Sequence, residues 1–91
     1  MLKKFDDHKS AQAWLIIDDN DEIRGLMSYE TQVATIDDEN WLSFYDLDHG
    51  NTTRKHIGWF MHKLGFTYQW AKQLYFDNMK FNLTTGEVAP L

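Results

Sequence analysis

The chain has 91 residues, no cysteine, 15% aromatic residues and a formal net charge of −5 at pH 7. This length predicts a single domain over residues 1–91, and the lack of cysteine excludes disulfides and thiolate metal sites. No apolar run approaches the roughly 20 residues that span a bilayer, so we expect a cytoplasmic protein with no membrane contact. The charge is unevenly divided: residues 1–50 carry twelve Asp/Glu and four Lys/Arg, whereas residues 51–91 carry two and five.

The first predicted element is a helix over residues 8–18. Ala11, Trp14 and Leu15 recur at i, i+3 and i+4, which is the spacing of one helical face. The polar run 18–22 ends this helix, because Asp and Asn side chains compete for backbone hydrogen bonds and favour turns.

A β-hairpin is predicted next, with strands at 32–36 and 41–45. Both segments are rich in β-branched or aromatic residues, and four polar residues, 37–40, separate them.

Two helices follow, over 52–64 and 68–76. Apolar residues of the first recur with helical periodicity from Ile57 to Leu64, Thr52 or Thr53 is its expected cap, and Gly65 is expected to end it. Alternation over 79–84 predicts a C-terminal strand. The expected fold class is therefore α+β: a small antiparallel sheet, formed by the hairpin and the C-terminal strand, packed against two or three short helices.

Catalytic and metal-binding motifs are weak. The best local metal candidate is the segment from Asp46 to His49, but the four histidines lack the i, i+4 pairing typical of zinc sites. No serine lies in a Gly-x-Ser-x-Gly elbow and no glycine-rich phosphate loop is present, although Ser28, Ser43, His56 and Asp48 are a set that folding can bring together. We predict a non-enzymatic protein without metal or cofactor.

The acidic residues of the turns form the leading candidate site. Rows of carboxylates on a rigid fold imitate backbone phosphates and bind basic protein surfaces. Trp41 and Trp59 are the expected aromatic contacts, because tryptophan is enriched at binding hot spots. The acidic candidates are Asp18, Asp19, Asp21, Glu22, Asp37, Asp38, Glu39, Asp46 and Asp48.

An alternative site lies on the two predicted helices. Helix 52–64, a turn at Gly65 and helix 68–76 have the layout of a helix-turn-helix, whose second helix reads DNA. Met61 departs from that pattern, because a small residue is usual four positions before the turn glycine. The candidate DNA contacts are Arg54, Lys55, Lys63, Gln69, Lys72 and Gln73. An ordinary αα-hairpin that covers a sheet explains the same pattern.

Two short motifs carry a resemblance. The segment 28–34 (Ser-Tyr-Glu-Thr-Gln-Val-Ala) followed by the helix start at 52–56 (Thr-Thr-Arg-Lys-His) resembles uncharacterised small proteins of phages and plasmids of Gram-positive bacteria. The resemblance covers roughly residues 5–65 and implies an accessory protein of a mobile element. Such proteins often act by stoichiometric binding, for example as anti-CRISPR inhibitors of host defence nucleases. A structural interpretation of the same motifs is a Thr-Thr cap and a hydrogen bond from His56 to the preceding hairpin.

The sequence therefore predicts a binding protein rather than an enzyme. The leading hypothesis is an inhibitor or modulator whose acidic turns bind a basic surface, such as that of a host nucleic-acid-binding protein. The helix-turn-helix regulator is the alternative, and DNA is a partner only in that case. A third hypothesis is a homodimer that joins the acidic half of one copy to the basic half of another.

Overall fold

The computed structural model describes residues 1–45 and 50–91. In these residues seven strands form one antiparallel sheet, in sequential order from β1 to β7, and two helices are inserted between β5 and β6. The elements are β1 (Leu2–Lys4), β2 (Ala13–Ile17), β3 (Ile23–Ser28), β4 (Thr31–Ile36), β5 (Trp41–Phe44), α1 (Asn51–Leu64), α2 (Tyr68–Phe76), β6 (Met79–Asn82) and β7 (Val88–Pro90). The fold is thus α+β, as predicted.

The order of the strands determines where the connections lie. Each strand of an antiparallel meander reverses direction, so every second connection falls at the same end of the sheet. The β2–β3 turn (18–22), the β4–β5 turn (37–40) and the β6–β7 turn (83–87) share one end, and the β3–β4 turn lies at the other.

Both helices pack on one face of the sheet. Ala13, Leu15 and Ile17 alternate inward along β2 and are at most 5% exposed. They join a single apolar cluster with the inward residues of the other strands and with buried residues of both helices, among them Phe60 and Leu74. The opposite face of the sheet is covered by neither helix.

The predicted helix 8–18 is wrong. Residues 13–17 form β2, which pairs with β1 and β3, and Trp14 and Leu15 lie on opposite faces instead of sharing one. The helical spacing of Ala11, Trp14 and Leu15 is a coincidence, because residues 13–17 (Ala-Trp-Leu-Ile-Ile) have the β-branched and aromatic composition of a strand. Hydrogen bonding to β1 on one side and to β3 on the other stabilises this segment as a strand.

The remaining predicted elements are confirmed with small shifts. The hairpin is present with its second strand ending at Phe44, helix 68–76 has the predicted bounds, and α1 begins at Asn51. The sheet is larger than predicted, because β1, β2, β3 and β7 also belong to it. The C-terminal strand ends at Asn82, not at residue 84, because the Asn82 side-chain oxygen accepts hydrogen bonds from the two N–H groups of the following turn at 2.9 Å each.

The ends of α1 differ in how well the sequence predicted them. Gly65 ends the helix in the left-handed conformation (φ 92°), and its N–H and that of Phe66 bond to the carbonyls of His62 and Met61. This is the expected glycine cap. At the other end Gly50 is the N-cap and no side chain caps the helix, so the predicted Thr52 or Thr53 cap is wrong.

Candidate functional site

Two acidic turns with the same geometry lie at one end of the sheet. In residues 18–22 and 37–41, the carboxylate of the first residue accepts hydrogen bonds from the backbone N–H groups two and four positions later. The distances are 2.9 and 3.0 Å for Asp18 and 2.9 Å twice for Asp37. Aspartate favours turns through such bonds to its own backbone. Asp18 and Asp37 therefore have a structural role in shaping the turns.

Arg24 ties the two turns together. Its guanidinium donates to the carboxylates of Asp18 (3.0 Å) and Glu22 (2.7 Å) in one turn, and to the carbonyl of Asp37 (3.1 Å) and the side chain of Asn40 (3.0 Å) in the other. The N–H of Glu22 and the Arg24 guanidinium hold the pKa of the Asp18 carboxyl below its ordinary value. One arginine thus fixes the relative position of both turns.

The remaining carboxylates of these turns are exposed to solvent. We call this surface the acidic edge and define it by Asp19, Asp21, Glu22, Asp38 and Glu39. The third turn adjoins it, because the Asn82 side chain donates to the Glu39 carbonyl at 3.0 Å and the Asn40 side chain donates to Thr84 at 2.8 Å. Glu87 lies in that turn and is exposed.

Sequence reasoning missed Glu87 and Arg24. Glu87 belongs to the more basic half of the sequence, and Arg24 was read as one of the few cations of the acidic half. The signal that identifies Glu87 is the order of the strands: once residues 13–17 are a strand, turns 18–22, 37–40 and 83–87 must share one end of the sheet. No signal in the sequence identifies the bonds of Arg24.

Charge is sorted by element over residues 1–45 and 50–91. None of the nine helices and strands that the structure describes there contains Asp or Glu, whereas eight of the nine Lys/Arg residues lie within them. The carboxylates are therefore concentrated at the turns, and the flat faces between them carry positive charge.

The two candidate tryptophans have different positions. Trp41 directly follows the second acidic turn and is half-buried, with the Lys80 ammonium 4.6 Å from its ring centre. Trp59 packs against the core, and its ring contacts are Phe5, His8 and His56, none of which belongs to the acidic edge. The structure thus places Trp41, but not Trp59, beside the predicted acidic contacts. Asp46 and Asp48 lie outside the described residues.

A second cluster joins the two sequence motifs. Ser28 at the end of β3 hydrogen-bonds to Thr53 (3.0 Å) and to His56 Nδ1 (2.7 Å), both on α1. Each of the three residues is less than 5% exposed. The predicted bond of His56 was to the hairpin of residues 32–45, whereas its partner is Ser28, which lies before that hairpin on β3. The burial of the Ser28 hydroxyl argues for a structural link. Ser43 lies on the opposite face of the sheet, and Asp48 is not among the described residues.

Aromatic rings cover this buried cluster. His8 stacks on Trp59 with ring centres 3.7 Å apart and an angle of 4° between the planes, and Tyr29 lies 5.7 Å from the His56 ring. Burial, and to a smaller extent the charge of His8, lowers the pKa of His56. A shallow cleft of about 240 Å³ adjoins the stack, lined by residues 5–8 and by Trp59, His62 and Lys63.

The candidate DNA contacts lie on the helix layer. Lys55, Lys63, Gln69, Lys72 and Gln73 are exposed, as is Arg54. The two helices form a hairpin that covers the sheet, and Thr67 caps α2 by accepting a bond from the N–H of Trp70.

Two negative findings concern the described residues alone. Over residues 1–45 and 50–91, no group of three or more His, Asp or Glu side chains is arranged to hold a metal ion; His49 lies outside this range. Within the same residues, neither helix has the length and apolarity needed to cross a membrane.

Fold and site together define a two-layer α+β domain that presents a rigid, carboxylate-rich edge. Residues 3–78 match the model of a family of unknown function, DUF8033, and the chain belongs to that family. The match includes both acidic turns and the Ser28–Thr53–His56 cluster, and it ends before β6. Neither a curated protein nor a solved structure matches this chain.

Proposed function

We propose that this protein acts by stoichiometric binding of its acidic edge to a basic protein surface. The observation that supports this proposal is that Arg24 joins two acidic turns of the same hydrogen-bond geometry and so fixes the relative position of the backbone segments that carry the exposed carboxylates. Turns that are already ordered lose little loop entropy on association, and complementary charge steers the encounter.

The geometry divides the acidic candidates by role. Asp18 and Asp37 are occupied by hydrogen bonds within their own turns, so they shape the edge. Asp19, Asp21, Asp38 and Glu39 project from it and make the contacts with the partner. Glu22 is exposed and contributes as well, although one of its oxygens accepts a hydrogen bond from Arg24. Trp41 borders the edge and adds an aromatic contact of the kind enriched at hot spots.

The kind of partner follows from the charge and from the resemblance to phage and plasmid proteins. Surfaces that bind nucleic acid are basic, and rows of carboxylates occupy them in place of phosphates. We propose a host nucleic-acid-binding protein as the target, with inhibition of a defence nuclease, as by an anti-CRISPR protein, as the biological role.

Charge reversal at matched positions tests this proposal. The edge variant is Asp19→Lys/Asp38→Lys/Glu39→Lys. The control variant Asp6→Lys/Asp7→Lys/Glu30→Lys makes the same change in net charge at exposed positions away from the acidic edge. The tagged wild-type protein and both variants are used to capture proteins from nuclease-treated host lysate, with melting temperatures measured in parallel.

We expect a stoichiometric partner that the wild type and the control variant capture and the edge variant loses, with all three equally folded. Capture by all three proteins would contradict a role for the acidic edge. Loss of capture with both variants would show that net charge, and not the edge, drives the association.

DNA binding through the helix pair is the second candidate. It is favoured by the absence of carboxylates from α1 and α2 and by the exposure of Lys63, Gln69 and Lys72. This function predicts affinity for duplex DNA that falls steeply with salt and is lost in Lys63→Gln/Lys72→Gln. No binding of duplex DNA at low salt would eliminate it.

A further inference from the structure

The face of the sheet opposite the helices has no assigned role. Residues paired across an antiparallel sheet point to the same side, so the register places Lys4 with Trp14 and Gly25 with Thr35 on this face. Trp41 and Lys80 lie on it too, because Leu42 and Phe81 point into the core between the strands and helices. We call this surface the outer face.

The charged groups on the outer face are cations, although the protein is acidic. None of the strands in residues 1–45 and 50–91 contains Asp or Glu, and Lys4 and Lys80 lie at opposite sides of the sheet. The carboxylates of the turns surround this face but do not enter it. Its charge therefore complements an anionic occupant.

Each lysine is paired with a tryptophan. The Lys4 ammonium lies 4.4 Å from the Trp14 ring centre and the Lys80 ammonium 4.6 Å from that of Trp41. Both rings are half-buried, which fixes their position and leaves part of each ring accessible. The Ala11 carbonyl accepts a bond from the Lys4 ammonium at 2.5 Å and holds it beside the ring.

Small residues and two covering side chains form the surface between the two pairs. Gly25, Thr35 and Ser43 form the central row of three neighbouring strands. A Cβ atom on Gly25 would lie 2.7 Å from the Ala34 carbonyl oxygen and 3.1 Å from both Gln32 Nε2 and Ile16 Cδ1, so the Gln32 and Ile16 side chains cover this position. Trp14 and Trp41 lie three strands apart and four to five residues apart along the strand direction, so they are separated diagonally by roughly 20 Å.

We propose that the outer face binds single-stranded nucleic acid. Unpaired bases stack on Trp14 and Trp41, the ammonium groups of Lys4 and Lys80 move from the rings to the phosphates, and the backbone of the single strand crosses the sheet diagonally between the two pairs. Proteins that bind single strands combine aromatic platforms with cations in this way. A cation–π contact at an exposed site is weaker than the stacking of a base on an indole, so the exchange is favourable.

The outer face meets the acidic edge at Trp41, but this proposal rests on the two Lys–Trp pairs and not on the carboxylates of the edge. A duplex is not the expected ligand, because its bases are already stacked and the rings lie within a flat surface. An acidic peptide can form ion pairs with Lys4 and Lys80 but has no bases to stack on the tryptophan rings. Binding of such a peptide is a separate outcome of the test.

The experiment measures fluorescence anisotropy of labelled single strands of roughly 12 nucleotides, a length within the range that one small domain covers. Oligo-dT and oligo-U are compared with a duplex of the same length, and poly-glutamate is added as a competitor. The test variants are Lys4→Gln/Lys80→Gln and Trp41→Leu. The control Lys55→Gln/Lys63→Gln removes the same charge from the helix layer, and melting temperatures confirm that each variant is folded.

We expect single strands to bind more tightly than the duplex, with about a tenfold loss in Trp41→Leu. Lys4→Gln/Lys80→Gln should lower the slope of log affinity against log salt by about 1.4, since each phosphate contact on a single strand contributes about 0.7. The control variant should bind like the wild type. The acidic-edge variant should bind at least as well, which separates this test from that of the proposed function.

Three results would overturn the inference. One is the absence of single-strand binding at low salt by the folded wild type. Another is tighter binding of the duplex, or a loss confined to Lys55→Gln/Lys63→Gln, since both assign the site to the helices. The third is an affinity for single strands that is unchanged in Trp41→Leu, together with displacement of the bound single strand by poly-glutamate. That result would identify the outer face as a site for acidic peptides.

Discussion

Replacing Ser28 by alanine tests the buried link between α1 and the sheet. The Ser28 hydroxyl bonds to both Thr53 and His56, and no buried side-chain nitrogen or oxygen of the described residues lacks a partner. Ser28→Ala removes one oxygen atom and leaves two buried polar groups without their partner. A buried polar group that loses its partner costs about 1–3 kcal/mol, so we expect the free energy of unfolding to fall by about 2–4 kcal/mol.

The expected change is large on the scale of this protein. For a domain of this size, 1 kcal/mol corresponds to roughly 4–8 °C in melting temperature, so Ser28→Ala should melt roughly 8–30 °C below the wild type. Chemical denaturation followed by circular dichroism gives the free energy, and differential scanning calorimetry gives the melting temperature.

Ser43→Ala is the matched control. Ser43 is a half-exposed serine on the outer face, and its replacement should change stability by no more than about 0.5 kcal/mol. A loss in Ser28→Ala as small as that in Ser43→Ala would refute the reasoning that the buried Ser28–Thr53–His56 cluster stabilises the fold.

Three further predictions concern other parts of the fold. Because burial lowers the pKa of His56, the unfolded state binds more protons than the folded state below about pH 6.5, so the free energy of unfolding should fall as the pH drops below that value. Urea denaturation of the wild type and of His56→Gln at several pH values measures this change. The same dependence of the free energy of unfolding on pH in both proteins would contradict the prediction. Gly25→Ala should cost about 1–3 kcal/mol, because its Cβ would lie 2.7 Å from the Ala34 carbonyl oxygen; a thermal melt equal to that of the wild type would exclude this close contact. Arg24→Leu should speed amide hydrogen exchange in both turns 18–22 and 37–40, because Arg24 bonds to each; faster exchange in only one turn would disprove the coupling.

The sequence was informative where local physics decides the structure. The helical periodicity of Ile57, Phe60 and Met61, the glycine cap at Gly65 and the hairpin around residues 37–40 all depend on short-range patterns, and the structure confirms them. The prediction for residues 13–17 was wrong because the sequence there fits both the 3.6-residue period of a helix and the two-residue period of a strand. Pairing with β1 and β3 stabilises the strand.

The candidate site depended on this long-range pairing. Composition identified the acidic turns, but only the strand order shows that two of them are neighbours and that Glu87 joins them. The bonds of Arg24 to both turns and of Ser28 to Thr53 and His56 connect distant parts of the chain, and no spacing in the sequence predicts them.

The most direct test of the central claim is an NMR footprint of the captured partner on the ¹⁵N-labelled protein. Our account predicts that backbone signals of residues 19–22, 38–41 and 84–87 shift or broaden on titration, while those of α2 stay unchanged. Perturbations confined to the helices or to the cleft beside Trp59, with the acidic edge unaffected, would contradict it.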